Sequence, residues 1–258
     1  MIHVRKMFIP LVIALNIAGS INSRGFLLSE LDYKSAAVLP TFTRRNTKWA
    51  VISREGYGIT KKYTYDSFSG GRDKGEDNVI LSAAREFHEE GILEQALGWS
   101  LEETEKYINP DKTENTWAVI AYSRDKDISN PKSRDIRNVT FLTNFTAYKT
   151  KLFDNFYDAR KRELARYDEL GIPGKHRHTT EKDRIAKVRW SDLKKAILSQ
   201  KNSHDPVYVC AYVMNPTTRK FCKRTVRLRP ILVITLRPFF ANEPYEQDQN
   251  EKIRLYRE

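Results

Sequence analysis

An arginine and three glutamates fall within six consecutive residues of this chain, at a spacing that places them on neighbouring turns of a helix. Residues three and four positions apart share a helix face, so Glu86, Glu89 and Glu90 would lie close together beside Arg85. Carboxylates this near repel one another, so their ionised forms need a compensating charge. Arg85 can supply that charge, and so can a divalent cation, because hard oxygen ligands suit Mg²⁺ or Mn²⁺. The alternative is a solvent-facing acidic turn with surface ion pairs.

The residues before this group predict a glycine loop that leads into the helix. Gly70 and Gly71 allow a tight turn, and Asp77 or Asn78 can cap a helix N-terminus. Gly91 is expected just past the helix C-terminus. Apolar residues recur between these limits at helical spacing, namely Val79, Ile80, Ala83, Ala84 and Phe87.

The whole stretch, residues 70–92, resembles a degenerate Nudix box, in which a glycine and an acid precede the string Arg-Glu-x-x-Glu-Glu at fixed spacing. With Gly71 as the first glycine, the first acid of the box is Asp77. Glu76 takes that place if the loop slips by one residue. A second departure is that Gly91 follows Glu90 directly, where the family has a residue between them.

This resemblance implies a fold and a chemistry. The fold would be α/β (α+β): a Nudix-like mixed β-sheet sandwiched between helices. The activity would be hydrolysis of the diphosphate linkage in a nucleoside diphosphate derivative, with Mg²⁺ or Mn²⁺ held by Glu86, Glu89 and Glu90. Arg85, Glu86 and Glu89 would be the catalytic residues, with Arg85 holding a carboxylate in place. The alternative is a Nudix fold that has lost catalysis and binds a nucleotide or a protein.

Other site residues are less well defined by the resemblance. Gly70 and Gly71 would set the loop against the helix, and Glu76 or Asp77 would assist the metal or favour the helix N-terminus. The general base is not readable from the sequence, and Glu181 is one candidate. Aromatic side chains that could stack on a base are Tyr63, Tyr65 and Trp117.

The chain reads as one domain over residues 26–240, with the resemblance covering about 35–200. An added helix is expected at 152–170, and a C-terminal extension at 205–240 contains a β-hairpin and a short strand at 231–236. Residues 241–258 are polar and predict a frayed tail.

The amino terminus has the pattern of a secretory signal peptide, and the predicted signal is residues 1–20. Arg5 and Lys6 precede an apolar run, and Ala18, Gly19 and Ser20 offer small residues for cleavage after Ser20. The alternatives are an uncleaved anchor or a buried first strand. The mature protein would be secreted or periplasmic and would not span a membrane.

The formal net charge of +12 favours anionic partners such as nucleotides. The basic residues are scattered along the chain and not grouped in blocks, which disfavours nucleic acid as the partner. The two cysteines, Cys210 and Cys222, flank a predicted turn. In a symmetric hairpin they would face each other, so the alternatives are a cross-strand disulfide and two free thiols.

Overall fold

The described part of the chain begins with strands, continues with three helices, and then mixes strands with single helices. The computed structural model describes residues 13–15, 28, 32–56, 63–113, 116–122, 136–173, 181–202, 205–241 and 253–257. The strands are β1 (Ile13–Leu15), β2 (Ser35–Arg44), β3 (Thr47–Glu55), β4 (Thr64–Asp66), β5 (Phe68–Gly71), β6 (Thr116–Tyr122), β7 (Ile136–Asn144), β8 (Lys182–Arg189), β9 (Tyr208–Met214), β10 (Phe221–Leu228) and β11 (Ile253–Arg257). The helices are α1 (Val79–Glu90), α2 (Leu93–Leu97), α3 (Leu101–Ile108), α4 (Lys149–Glu169), α5 (Trp190–Leu198) and α6 (Pro230–Ala241).

The strands form one mixed sheet in the order β1-β11-β6-β7-β2-β3-β4-β10-β9-β8, with β5 paired to β2. The pairs β2–β7, β6–β11 and β4–β10 are parallel, and the other pairs are antiparallel. Helices cover both faces of this sheet. The predicted fold class, a mixed sheet between helices, is therefore confirmed.

Five of the strands close on themselves. β3 pairs with β8, β8 with β9, β9 with β10, β10 with β4, and β4 with β3 again. The hairpin predicted after residue 205 is β9 and β10, so it completes this circuit and is not an appendage. Because side chains alternate along each strand, one set of residues points into the circuit and the other points out of it.

The two faces of the sheet carry separate hydrophobic cores, and this explains the nearly continuous apolar runs of β2 and β3. In β2, Val38 packs into the core beneath α1, α2 and α4, whereas Leu39 packs into the core beneath α5 and α6. In β3, Val51 and Ile52 divide in the same way. A strand that is buried on both sides has apolar residues on both faces, so its sequence does not alternate between polar and apolar residues.

Helix α1 is placed by its apolar stripe against β2 and β5. Phe87 is fully buried, and its ring lies 5.1 Å from the ring of Phe68 on β5. Asn78 is the N-cap, since its side chain accepts hydrogen bonds from the backbone N–H groups of Ile80 and Leu81. This packing fixes the last turn of α1, which carries the glutamates, above β5, the glycine strand that ends in Gly70 and Gly71.

The structure corrects three sequence-based expectations about the elements. Residues 231–236 belong to helix α6 and not to a strand; Pro230 is its first residue, a position where the missing N–H is harmless. The polar tail contains β11, which pairs in parallel with β6. The sequence predicts one helical stretch over residues 93–107, but this stretch is split into α2 and α3, because Gly98 adopts a left-handed conformation that ends α2.

Of the two alternatives for the cysteines, the structure has two free thiols. Cys222 lies opposite Val213 across the hairpin, and Cys210 lies opposite Thr225, because the turn is not centred on Pro216. The two cysteines are three positions out of register, so their side chains point to opposite faces of the sheet.

Most of the predicted signal segment, residues 1–20, lies outside the described residues. Its described part is β1, which pairs antiparallel with β11. Within the described ranges, no helix combines the length and the apolar character needed to cross a membrane. The signal peptide stays a prediction.

Candidate functional site

The last turn of α1 faces a cavity of about 580 Å³ that opens between the glycine strand β5, the start of β8 and the start of α6. Its lining contains seven carboxylates and three arginines. The acidic residues are Glu55, Asp66, Asp73, Glu86, Glu89, Glu90 and Glu181. The fold therefore brings the glutamates of the box helix together with acids from β3, β4 and β8.

Arg85 lies at the centre of the exposed side of this cavity. Its Nη1 donates to Glu86 Oε1 at 2.7 Å and lies 3.6 Å from Glu89 Oε2. Its Nη2 donates to the backbone carbonyl of Gly71 at 3.1 Å and to Glu76 Oε2 at 3.3 Å. One guanidinium thus joins the helix, the glycine strand and the loop, as its planar fork of five donors allows.

The structure separates the two candidates for the first acid of the box. Glu76 is largely buried and faces Arg85, whereas Asp77 is exposed and pairs with Arg72 at 2.8 Å. Burial raises the pKa of Glu76, but hydrogen bonds with Arg85 and Ser82 outweigh it and hold the pKa below the usual value. Glu76 therefore takes the inner position, with the one-residue slip in the loop.

Gly70 is required by the close approach of Glu86. A Cβ atom built on Gly70 would overlap the carboxyl group of Glu86, whereas one built on Gly71 would meet nothing within 4 Å. The two neighbouring glycines therefore differ in function, since the first clears space for a site carboxylate and the second does not.

Glu86 is a buried carboxylate with an unusual proton affinity. Burial raises its pKa to about 7, and this rise persists although Arg85 opposes it. The neighbouring carboxylates of Glu89 and Glu181 raise the pKa further. The seven carboxylates of the cavity lining also outnumber its three arginines, so negative charge is in surplus around Glu86.

Glu90 has a different environment, because it is sealed inside the protein. Its Oε1 lies 3.0 Å from Nζ of Lys182, a lysine with no exposed surface, and its Oε2 accepts from the backbone N–H of Ser69 at 2.7 Å. Burial raises the pKa of Glu90. Burial also lowers the pKa of Lys182, but the carboxylates of Glu90 and Asp66 raise it by more, so the ammonium form is kept.

A second ion-pair cluster closes the far wall of the cavity. Arg229, between β10 and α6, donates to Asp66 Oδ2 at 2.9 Å and to Glu55 Oε2 at 3.4 Å. Asp66 is buried and also accepts from the backbone N–H and the hydroxyl of Ser67. This cluster ties the C-terminal part of the chain to β3 and β4.

The shortened step after Glu90 has a structural consequence. Gly91 has right-handed helical torsion angles, and Ile92 is left-handed, with φ of 52°. The family pattern would have its glycine at position 92. The chain keeps the left-handed turn there but makes it with a β-branched residue, which costs on the order of 1–2 kcal/mol. Gly91 is needed for space, because a Cβ on it would lie 2.6 Å from the Phe87 carbonyl oxygen.

The cavity fits a hard divalent cation in its chemistry, although not through three converging glutamates. In the described part of the chain, no three His, Cys, Asp or Glu side chains are arranged to hold a metal ion. Mg²⁺ is commonly bound by one or two carboxylates, with water and substrate phosphate completing its shell. Glu86 and Glu89 face the cavity and suit that mode, and the surplus of negative charge around Glu86 favours it.

The predicted residues thus divide into groups. Arg85, Glu86 and Glu89 lie together at the cavity, Glu90 lines it from a buried ion pair, and Glu181 faces the same space. The sequence analysis missed Lys182, Asp66, Ser69 and Arg229. Lys182 and Arg229 belong to no motif, and their partners are distant in the chain, so spacing carried no signal for them.

Known proteins resemble this chain in structure but not in sequence. No protein-family model matches the chain, and no curated protein sequence matches it. Among solved structures, the chain is similar to the NUDIX domain of Shewanella oneidensis NrtR in complex with ADP ribose, with 6% identity and a TM-score of 0.28, over 45% of this chain and 61% of that one.

Two further structures give similar values. The Nudix hydrolase RenU from M. smegmatis has 14% identity and a TM-score of 0.27, over 44% of this chain and 61% of that one. A NUDIX hydrolase from Alicyclobacillus acidocaldarius has 11% identity and a TM-score of 0.26, over 45% and 71%. This chain thus spans less than two thirds of the first two structures. At these scores the likenesses assign neither activity nor substrate to it.

The buried pair predicts a large effect of Lys182 on stability. Lys182→Met should lower the free energy of unfolding by about 3–5 kcal/mol, because it leaves the buried Glu90 carboxylate uncompensated. Lys182→Met/Glu90→Gln should regain much of that loss, since the buried charge is then absent. Urea unfolding measures both.

The control is Lys195→Met on the exposed surface of α5, which should change stability by less than about 0.5 kcal/mol. Equal stability of Lys182→Met and the control would contradict a buried ion pair.

Proposed function

We propose that this chain is a metal-dependent Nudix-type hydrolase that cleaves the diphosphate linkage of a nucleoside diphosphate derivative. The observation that carries the proposal is the convergence of Arg85, Glu86 and Glu89 on one cavity beside the glycine strand. The spacing of the box predicts this convergence, and the acids of the cavity match the ligand chemistry of Mg²⁺ or Mn²⁺.

The protein's own residues have distinct roles in this proposal. Glu86 and Glu89 would hold the cation, and Arg85 orients Glu86 by a charge-assisted hydrogen bond and forms an ion pair with Glu89. Gly70 gives the Glu86 carboxylate the space it occupies. Glu90 positions the last turn of α1 through Lys182. Glu181 is the candidate general base, because it faces the same cavity and lies at the start of β8.

When bound, a divalent cation supplies charge neutralisation for a diphosphate and lowers the pKa of a bound water. Arg72 and Arg229 also line the cavity and can approach phosphate oxygens at its edge. Each is already paired with carboxylates, so each would share its donors between the protein and the substrate.

A second candidate function is a non-catalytic module that binds a nucleotide or a protein. The ion pair of Lys182 with Glu90 favours it, because an internal ammonium supplies charge that a metal ion would otherwise bring. Arg85 likewise supplies a positive charge to Glu86 that a metal ion would otherwise bring. The two candidates differ in turnover, so one assay separates them.

We also propose that the protein is exported, with residues 1–20 removed as a signal peptide. The support is the sequence pattern at the amino terminus. Removal of this segment would take β1 away from β11 and leave β11 as a sheet edge.

The hydrolase proposal predicts metal-dependent turnover that requires Glu86 and Glu89, the two glutamates that face the cavity. The full chain should release a nucleoside monophosphate from at least one nucleoside diphosphate derivative with Mg²⁺ or Mn²⁺, and EDTA should abolish this release. Glu86→Gln and Glu89→Gln should each lower kcat by about 10²-fold or more, because each removes a charged metal ligand. Chromatography of the released nucleoside monophosphate measures the turnover of each variant.

The matched control is Glu94→Gln, an exposed glutamate on α2 outside the cavity, which should keep full activity. Metal-dependent nucleotide binding without turnover would favour the non-catalytic module. Neither turnover nor metal binding by the folded wild type would exclude both.

The neighbouring glycines predict opposite results. Gly70→Ala should displace the Glu86 carboxylate from Arg85 and lower kcat by about tenfold or more, because small misplacements at a catalytic group are costly. Gly71→Ala should retain activity within about twofold, since its Cβ meets open space. Steady-state kinetics compare the two variants, and equal losses would show that Glu86 does not depend on the space at Gly70.

The export proposal predicts a defined amino terminus. Expression of the full chain in a bacterial host should yield periplasmic protein that begins at Ile21. Ala18→Tyr should block cleavage, because signal peptidases require small residues near the cleavage site. Amino-terminal sequencing measures this, and purified protein that still begins at Met1 would contradict export by cleavage.

A further inference from the structure

A second cavity, of about 520 Å³, lies at one end of the closed five-strand circuit. The interior of the circuit is apolar over most of its length, with Ile52 of β3 and Ala186 of β8 paired in its core. Arg54 lies two residues after Ile52 in β3, and Arg184 lies two residues before Ala186 in β8. Both arginines therefore point to the same face as that pair. Arg224 of β10 faces the same interior, because it is paired with the buried Ala211. Arg227 of β10 also lines this cavity, so four arginines from three strands meet at the mouth of the circuit.

The arginines at this mouth are not balanced by acids. Arg54 and Arg184 are directly opposite each other on antiparallel strands, an arrangement that is destabilising for like charges. Asp183 pairs with Arg54. Among the described residues, no carboxylate forms an ion pair with Arg184 or Arg224, and none lines the cavity. An anion in the mouth would relieve this repulsion.

Tyrosines complete the rim of the cavity. Tyr63 is 60% exposed and Tyr208 is 55% exposed, so both rings are accessible to a ligand in the cavity. The guanidinium of Arg54 lies 5.3 Å from the centre of the Tyr63 ring. Tyr65 forms the floor, and burial raises its pKa to about 12, so its hydroxyl stays protonated. Exposed rings beside arginines can stack on a planar base.

This mouth is separate from the cavity at the box helix. Arg54 and Tyr65 line the mouth, whereas the next residue along each strand, Glu55 or Asp66, lines the acidic cavity. The two cavities share no lining residue within the described ranges. They therefore lie on opposite faces of the β3–β4 pair, one lined by arginines and the other by carboxylates.

We propose that the mouth of the five-strand circuit is a second binding site, which takes a nucleotide without a metal ion. Arg184 and Arg224 bind its phosphates, and the rings of Tyr63 and Tyr208 hold its base. The cavity volume lies within the range of pockets that enclose a small ligand, about 300–1,000 Å³. This site does not depend on the proposed hydrolase activity, because it shares no residue with the box.

The test is isothermal titration of ADP into the full chain in the presence of EDTA. Wild-type protein should bind ADP saturably. Arg184→Gln/Arg224→Gln should weaken binding by about tenfold or more, because two charge-assisted contacts are lost. The matched control is Lys187→Gln/Lys223→Gln. It removes the same charge from the same two strands on the outward face, where both lysines lie opposite Tyr212. It should change the affinity by less than about threefold.

Two further variants separate this site from the box and identify the ligand. Glu86→Gln/Glu89→Gln should bind ADP in EDTA as the wild type does, even if the hydrolase proposal fails. Tyr208→Ala should weaken ADP more than pyrophosphate, since only ADP carries a base to stack.

Several outcomes would overturn the proposal. They are absence of ADP binding by the folded wild type, equal losses in the arginine and lysine double variants, and loss of binding in the box variant. A single-stranded oligonucleotide that binds through Arg184 and Arg224 when ADP does not would replace it with a nucleic-acid site.

Discussion

Glu86 and Glu90 at the end of α1 are buried, and the protein has to balance their charge from within. Burying an ionised carboxylate without a partner costs several kcal/mol. Lys182 of β8 pairs with Glu90, Arg229 at the junction of β10 and α6 pairs with Asp66 of the same cavity, and Arg85 of α1 itself pairs with Glu86. The site and the closure of the sheet therefore depend on each other, because Lys182 and Arg229 reach their carboxylates only when these strands are in place.

Within this arrangement the glutamates of the box are not equivalent. Glu90 is a structural carboxylate, sealed by an ammonium and a backbone N–H, whereas Glu86 and Glu89 face the cavity and share one guanidinium. Glu86 keeps a raised pKa because burial disfavours its ionised form, and the carboxylates of Glu89 and Glu181 add to this rise. Such an unbalanced carboxylate is typical of a functional site, where the missing charge is supplied by a ligand.

The alternation of side chains along β3 and β4 gives the molecule two cavities of opposite charge. The same pair of strands directs Glu55 and Asp66 towards the box and Arg54 and Tyr65 into the circuit. The formal net charge of +12 does not predict two cavities of opposite charge, because the acids and the arginines are mixed along the chain. Only the closed pairing of β3, β8, β9, β10 and β4 sorts them by face.

The sequence by itself determined the box helix, because its caps, its apolar stripe and its glutamates are all set by residues a few positions apart. It also determined the mixed sheet between helices through the resemblance those residues carry. The tertiary structure alone decided which acid of Glu76 and Asp77 faces Arg85, that Glu90 is paired with Lys182, and that the cysteines are out of register. It also decided that residues 230–241 form a helix. These features depend on contacts between residues far apart in the chain, and such contacts exist only once strand pairing has chosen which side chains share a face.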